Sequence, residues 1–126
     1  MFWLRWGPAL LVMTLIFAFS SIPSQEMPNF GHYDLSVKKG GHMLGYAILC
    51  QTYLWGLGRT RPRARLWAWS LAVLYAVTDE VHQSFVPGRG PWTIDVGIDA
   101  IGALLGLLPT YLPSYQRLWG SLLPKL

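Results

Sequence analysis

The sequence predicts an all-α protein, an integral membrane bundle of four transmembrane helices with both termini in the cytoplasm. Three observations predict it: an apolar composition, four apolar stretches of near-spanning length, and a lopsided distribution of basic residues among the connections. Of 126 residues, 52% are hydrophobic and 13% charged, and the mean hydropathy is +0.32, a balance unlike that of ordinary soluble chains. The length corresponds to one domain, residues 1–126, and no internal repeat, low-complexity tract or long linker divides it.

The four stretches are residues 2–22, 41–58, 66–78 and 95–112. A bilayer core asks for about 20 helical residues, so the third stretch spans only if its helix continues through a polar run to about residue 86. Pro23 and Pro28 close the first stretch, Pro62 interrupts the turn before the third, and Pro87-Gly88 with Gly90-Pro91 breaks the chain before the fourth. Residues 1–20 also loosely fit a signal peptide through Arg5, the apolar run, Ala18 and Ser20. The thin basic region and the spans that follow favour a retained helix, and cleavage would leave three spans with the same site.

Four arginines occupy one short connection, Arg59, Arg61, Arg63 and Arg65, and basic residues favour the cytoplasmic side. With four spans, Arg5, those four arginines, Arg117 and Lys125 lie inside, against Lys38, Lys39 and Arg89 outside. All six acidic residues, Glu26, Asp34, Asp79, Glu80, Asp95 and Asp99, then fall on the outer side or in outer helix ends. Net charge +4 and pI ≈ 9.5 therefore express topology. Nucleic acid is excluded as a partner because the basic residues form no stripe interleaved with aromatics on a polar face. Trp3, Trp6, Tyr53, Trp55, Trp67, Trp69, Trp92 and Tyr111 flank apolar runs, as expected of interfacial rings or, equally, of core packing. The single cysteine, Cys50, reads as a small buried hydrophobe.

The candidate site follows from polar residues that an apolar chain tolerates only when something compensates them. Lys39, His42 and Tyr46 sit at i, i+3 and i+7 on one face of the second span, a cation, an imidazole and a phenol in a row. Lys39 suits an anionic headgroup and His42 a proton relay; snorkelling of Lys39 and interhelical hydrogen bonds of His42 and Tyr46 would explain the same row. Asp79, Glu80, His82 and Gln83 crowd one turn at the end of the third span, where neighbouring carboxylates repel unless a cation is near. Arg89, presented by Phe85-Val86-Pro87-Gly88-Arg89, suits bidentate binding of phosphate or carboxylate, or an ion pair with Glu80 or Asp95. Asp95, Asp99, Gly102 and Gly106 form one stripe of the fourth span, polar at its outer end and glycine-lined as a helix contact deeper in.

Glu80, His82, Asp95, Asp99 and His42 include carboxylates that suit Mg²⁺ or Mn²⁺ and imidazoles that suit Zn²⁺, so a divalent metal is an option that the sequence does not require. No strong metal signature such as H-E-x-x-H is present. Ser84 adjoins the site without a nucleophile-elbow sequence around it.

K-x-x-H-x-x-x-Y at Lys39, His42 and Tyr46, D-E-x-x-Q at Asp79, Glu80 and Gln83, the P-G-R turn at Pro87 to Arg89 and D-x-x-x-D-x-x-G at Asp95, Asp99 and Gly102 occur in order between the spans. Over roughly residues 10 to 110 this pattern resembles the VanZ-like family of small polytopic membrane proteins, named for a protein associated with low-level teicoplanin resistance. Lys38 stands where that family often has Asp, and Asp99 where it often has Asn. The resemblance implies a cell-envelope role and suggests a relation to glycopeptide tolerance, without a defined reaction.

Three functions fit these residues. In the first, an outer-facing site binds an anionic lipid-linked phosphate or peptidoglycan-related molecule, with Lys39, Tyr46, Asp79, His82, Gln83, Arg89 and Asp99 as ligand-binding groups among membrane lipids. In the second, an intramembrane hydrolase or transferase uses His42, Glu80 and Asp95 for acid–base chemistry on lipid headgroups. In the third, the polar blocks only knit the helices of a structural accessory subunit. The oligomeric state is left open by the sequence.

Overall fold

The computed structural model describes residues 1–89 and 93–122. Its described residues form five α-helices and no strand: α1 (Phe2–Ser20), α2 (Asp34–Leu57), α3 (Ala64–Gln83), α4 (Thr93–Leu107) and α5 (Pro113–Leu122). A 3₁₀ turn, Leu108–Tyr111, extends α4. The first four helices alternate in direction, and α2 packs most extensively on α4, then on α1 and α3. Gly90-Pro91, Trp92 and Lys125, which entered the reading of loop, aromatics and charge, lie outside the described residues.

The third apolar stretch does continue through its polar end, since α3 runs to Gln83. Two helical stretches, Phe2–Ser20 and Thr93–Tyr111, are long and apolar enough to cross a membrane. Both α2, at 24 residues, and α3, at 20, have the length but carry the charged and polar residues of the predicted site. The first helix stops at Ser20, before Pro23, and Pro8 is accommodated inside it. The fifth helix was not expected; its Tyr115 and Trp119 pack near Trp55 while Leu118 and Arg117 face outward.

Polarity is inverted relative to a soluble bundle. Leu11, Phe17, Leu44, Ile48, Leu74, Val77, Ile101 and Leu104 are exposed on four helices, whereas Asp79, Glu80, Gln83, Asp99 and Thr110 are buried. Exposed apolar surface of this extent marks a face that meets lipid or another protein. Small residues make the contacts inside: Ala64, Ala68, Ala72 and Ala76 recur every fourth residue along α3 and are buried. A Cβ on Gly102 would lie 2.5 Å from the Met43 carbonyl oxygen and one on Gly106 2.5 Å from that of Ala47, so glycine alone permits this approach of α4 to α2. The expected glycine helix contact is present. Among the rings, Trp3, Trp67 and Tyr111 are exposed, but Tyr53 is buried in the core with Cys50, so it packs rather than anchors.

Candidate functional site

At one end of the bundle the end of α1, the first half of α2, the end of α3 and the start of α4 converge, and they carry the predicted polar residues with them. The 3.6-residue period places Lys39, His42 and Tyr46 on the face of α2 that meets α4 and α3. Lys39 Nζ forms an ion pair with Asp95. One turn deeper, His42 Nδ1 lies 3.3 Å from Asp99 Oδ1, and Asp99 is 1% exposed. Another turn down, the Tyr46 hydroxyl donates to Asp79 Oδ2 at 3.3 Å. Gln83 Nε2 donates to the same oxygen at 3.4 Å and to Ser20 Oγ at 3.1 Å. Three rungs thus descend from a half-exposed ion pair to a buried carboxylate.

Two oxygens in this ladder remain without hydrogen-bond donors among the described residues, Asp79 Oδ1 and Asp99 Oδ1. The 3.3 Å approach of His42 Nδ1 to that Asp99 oxygen is not a well-directed hydrogen bond, and it is an ion pair only when the imidazole is protonated. One donor atom from each of His42, Asp79 and Asp99 lies within 4.8 Å of the other two.

Other predicted residues take different positions. His82 turns away from the ladder: its ring stacks on Phe17 at 4.2 Å, and Nε2 lies 3.4 Å from Ser21 Oγ. Glu80 is buried, one helical turn beyond Ala76 on the alanine stripe. Arg89 reaches the open carbonyl end of α1, donating from Nε to Ile22 O at 3.0 Å and from a terminal nitrogen to Phe19 O at 3.3 Å, with Met27 Sδ at 2.6 Å. Burial pulls the Arg89 pKa below its ordinary value, against the opposing fields of Asp79 and Glu80. The turn that presents it needs Gly88, whose φ is +77°, because any side chain there would run into Ser24. Ser20 and Ser21 were not anticipated, since serines at the end of an apolar run carry no distinguishing pattern.

The opposite end holds the arginines. Arg5 donates to Gly56 O at 2.9 Å; Arg65 donates to Thr110 Oγ1 at 2.9 Å and lies over the Tyr111 ring at 4.5 Å. Arg59 covers the Tyr115 ring at 4.6 Å, where burial raises the Tyr115 pKa. Between α2, α4 and α5 lies an apolar groove of about 800 Å³, bordered by Met43, Ile48, Trp55, Leu105 and Trp119 with Gln51 and Arg59.

A family model described as VanZ/LLP1 matches residues 6–113. The chain belongs to the VanZ/LLP1 family. No curated protein and no solved structure matches it. Membership and the two apolar helices together point to a membrane protein.

Proposed function

We propose that this VanZ/LLP1 member is a cell-envelope protein, a single four-span membrane domain with both ends cytoplasmic. In this reading its polar end faces the exterior and binds an anionic headgroup, that of a lipid-linked phosphate or a peptidoglycan-related molecule. The carrying observation is the convergence of Lys39, His42, Tyr46, Asp79, Gln83, Asp95 and Asp99 from three helices at one end of a bundle that is apolar outside. Charge supports the orientation, because Arg59, Arg61, Arg63 and Arg65 gather at the other end. Lys39 is partly exposed, so it can turn from Asp95 to the ligand's phosphate. Arg89 contributes by holding the end of α1 against the site and adding positive potential above it. Glycopeptide tolerance would follow where the bound molecule is the antibiotic's own target.

The test is salt-dependent binding of the reconstituted chain to vesicles containing a polyprenyl phosphate. Lys39→Gln should weaken binding about tenfold, and Lys39→Gln with Arg89→Gln further, with melting temperature recorded for each. Unchanged affinity in folded Lys39→Gln removes the reading, whether or not the double variant folds.

A second reading is a hydrolase or transferase acting on lipid headgroups, favoured by the approach of His42 to Asp99 beside Asp79. Glu80 or Asp95 would serve as base and His42 or His82 as acid. Mass spectrometry of headgroup release distinguishes it: turnover by the wild type that Glu80→Gln abolishes supports the assignment, and equal turnover rejects it.

A further inference from the structure

We infer that His42, Asp79 and Asp99 form a divalent-cation site of the Zn²⁺ or Mn²⁺ class, set between α2, α3 and α4. Two buried carboxylates face one imidazole; Asp79 Oδ1 has no donor among the described residues, and Asp99 Oδ1 has the 3.3 Å approach of His42 Nδ1 without a well-directed hydrogen bond. Leaving Asp79 Oδ1 bare and Asp99 Oδ1 so weakly met in a low-dielectric interior is costly, and two neighbouring carboxylates repel as well. One divalent cation answers both problems, since two carboxylates and a neutral imidazole present two negative charges to it. Lys39 does not answer them, being committed to Asp95 above.

The surroundings are those of a ligand set already held in place. Tyr46 and Gln83 both donate to Asp79 Oδ2, which fixes that carboxylate and leaves Oδ1 as its free face. Outer hydrogen bonds of this kind orient metal ligands. Bonds of about 2.0–2.2 Å to a tetrahedral cation place donor atoms about 3.4 Å apart. The three donors, all within 4.8 Å of one another, need to close by about an ångström, within the reach of side-chain torsions. Imidazole with carboxylate selects zinc or manganese over calcium, and three protein ligands leave a position for water or a phosphate oxygen. The set differs from the one suggested by sequence, because Asp79 takes the place of Glu80, His82 and Asp95. Metal binding at this place goes beyond headgroup recognition and is measured without lipid, so either can fail alone.

The chain, purified in detergent and stripped with chelator, is dialysed against Zn²⁺ or Mn²⁺, and retained metal is measured by mass spectrometry. About one equivalent of either metal per chain is expected, with a higher melting temperature on loading, and Co²⁺ should give visible bands of a low-symmetry site. Asp99→Asn and His42→Ala should each weaken retention at least about tenfold. A folded wild type that retains neither metal overturns the site, as does Asp99→Asn with wild-type affinity. If a variant fails to fold, wild-type stoichiometry together with the Co²⁺ spectrum decides the outcome.

Discussion

The two ends of the bundle handle charge in opposite ways. At the arginine end, cations meet neutral partners: Arg5 a carbonyl, Arg65 a hydroxyl and a ring, Arg59 two rings. At the polar end, Lys39 meets Asp95 and His42 approaches Asp99, and Asp79 Oδ1 has no donor among the described residues. Neutral partners at the arginine end tie α5 and the end of α4 to the bundle, although Arg59 Nε is buried there without a hydrogen-bond acceptor among the described residues. Surplus acceptors at the polar end call for something from outside the chain. Charge thus meets neutral groups at one pole and carboxylates at the other.

The largest expected effect tests whether the frame common to both ends depends on glycine. Gly102→Leu forces a side chain into the Met43 backbone and should cost about 3 kcal/mol or more, read as loss of monodisperse protein and a collapsed melting temperature. Gly97→Ala, where a Cβ meets nothing within 4 Å, should melt as the wild type does. Next, Arg65→Ala removes two hydrogen bonds and a ring contact, and should cost about 1–2 kcal/mol without changing lipid or metal binding. Tyr46→Phe should cost about 0.6 kcal/mol, the average for hydrogen bonds between membrane helices, yet weaken retained metal several-fold. If thermal melting and metal retention rank these two variants in the same order, the contrast between the ends fails.

The smallest effect concerns Asp34 and Lys38, a partly exposed i,i+4 pair above the site. The Lys38 hydrogen bond, aided by the Phe30 amide, holds the Asp34 pKa below its ordinary value. Its contribution is therefore present above the unfolded pKa and is lost as pH falls through the lowered folded value. Lys38→Ala should lower the melting temperature slightly at neutral pH, and the difference from the wild type should shrink as pH falls, so that the acidic limb of the stability profile becomes shallower. A large neutral-pH loss would make this pair part of the frame.

Much of this arrangement was legible because helical spacing is legible. The i, i+3, i+7 row of Lys39, His42 and Tyr46 and the stripe of Asp95, Asp99, Gly102 and Gly106 each fix a face, and both faces meet. The alanine ladder of α3 went unread because alanine also suits a lipid-facing helix, and only burial separates the two. His82 sits three residues from Asp79, about 60° round the helix, and that offset turns its ring to Phe17. Arg89 found backbone carbonyls, which no side-chain pattern announces. The fifth helix was hidden by its short, mixed sequence after Pro113.

Gly102 and Gly106 touch the backbone of α2 at two points separated by about 6 Å along α4. Two such contacts pin the helices against rolling or sliding, so in the proposed four-span arrangement a mismatch with bilayer thickness would be met by tilting α2 and α4 together. The gap between His42 and Asp99 is carried along unchanged in that tilt. Membranes of different thickness should therefore alter how deeply this pair of residues sits below the headgroups, but not the distance between them.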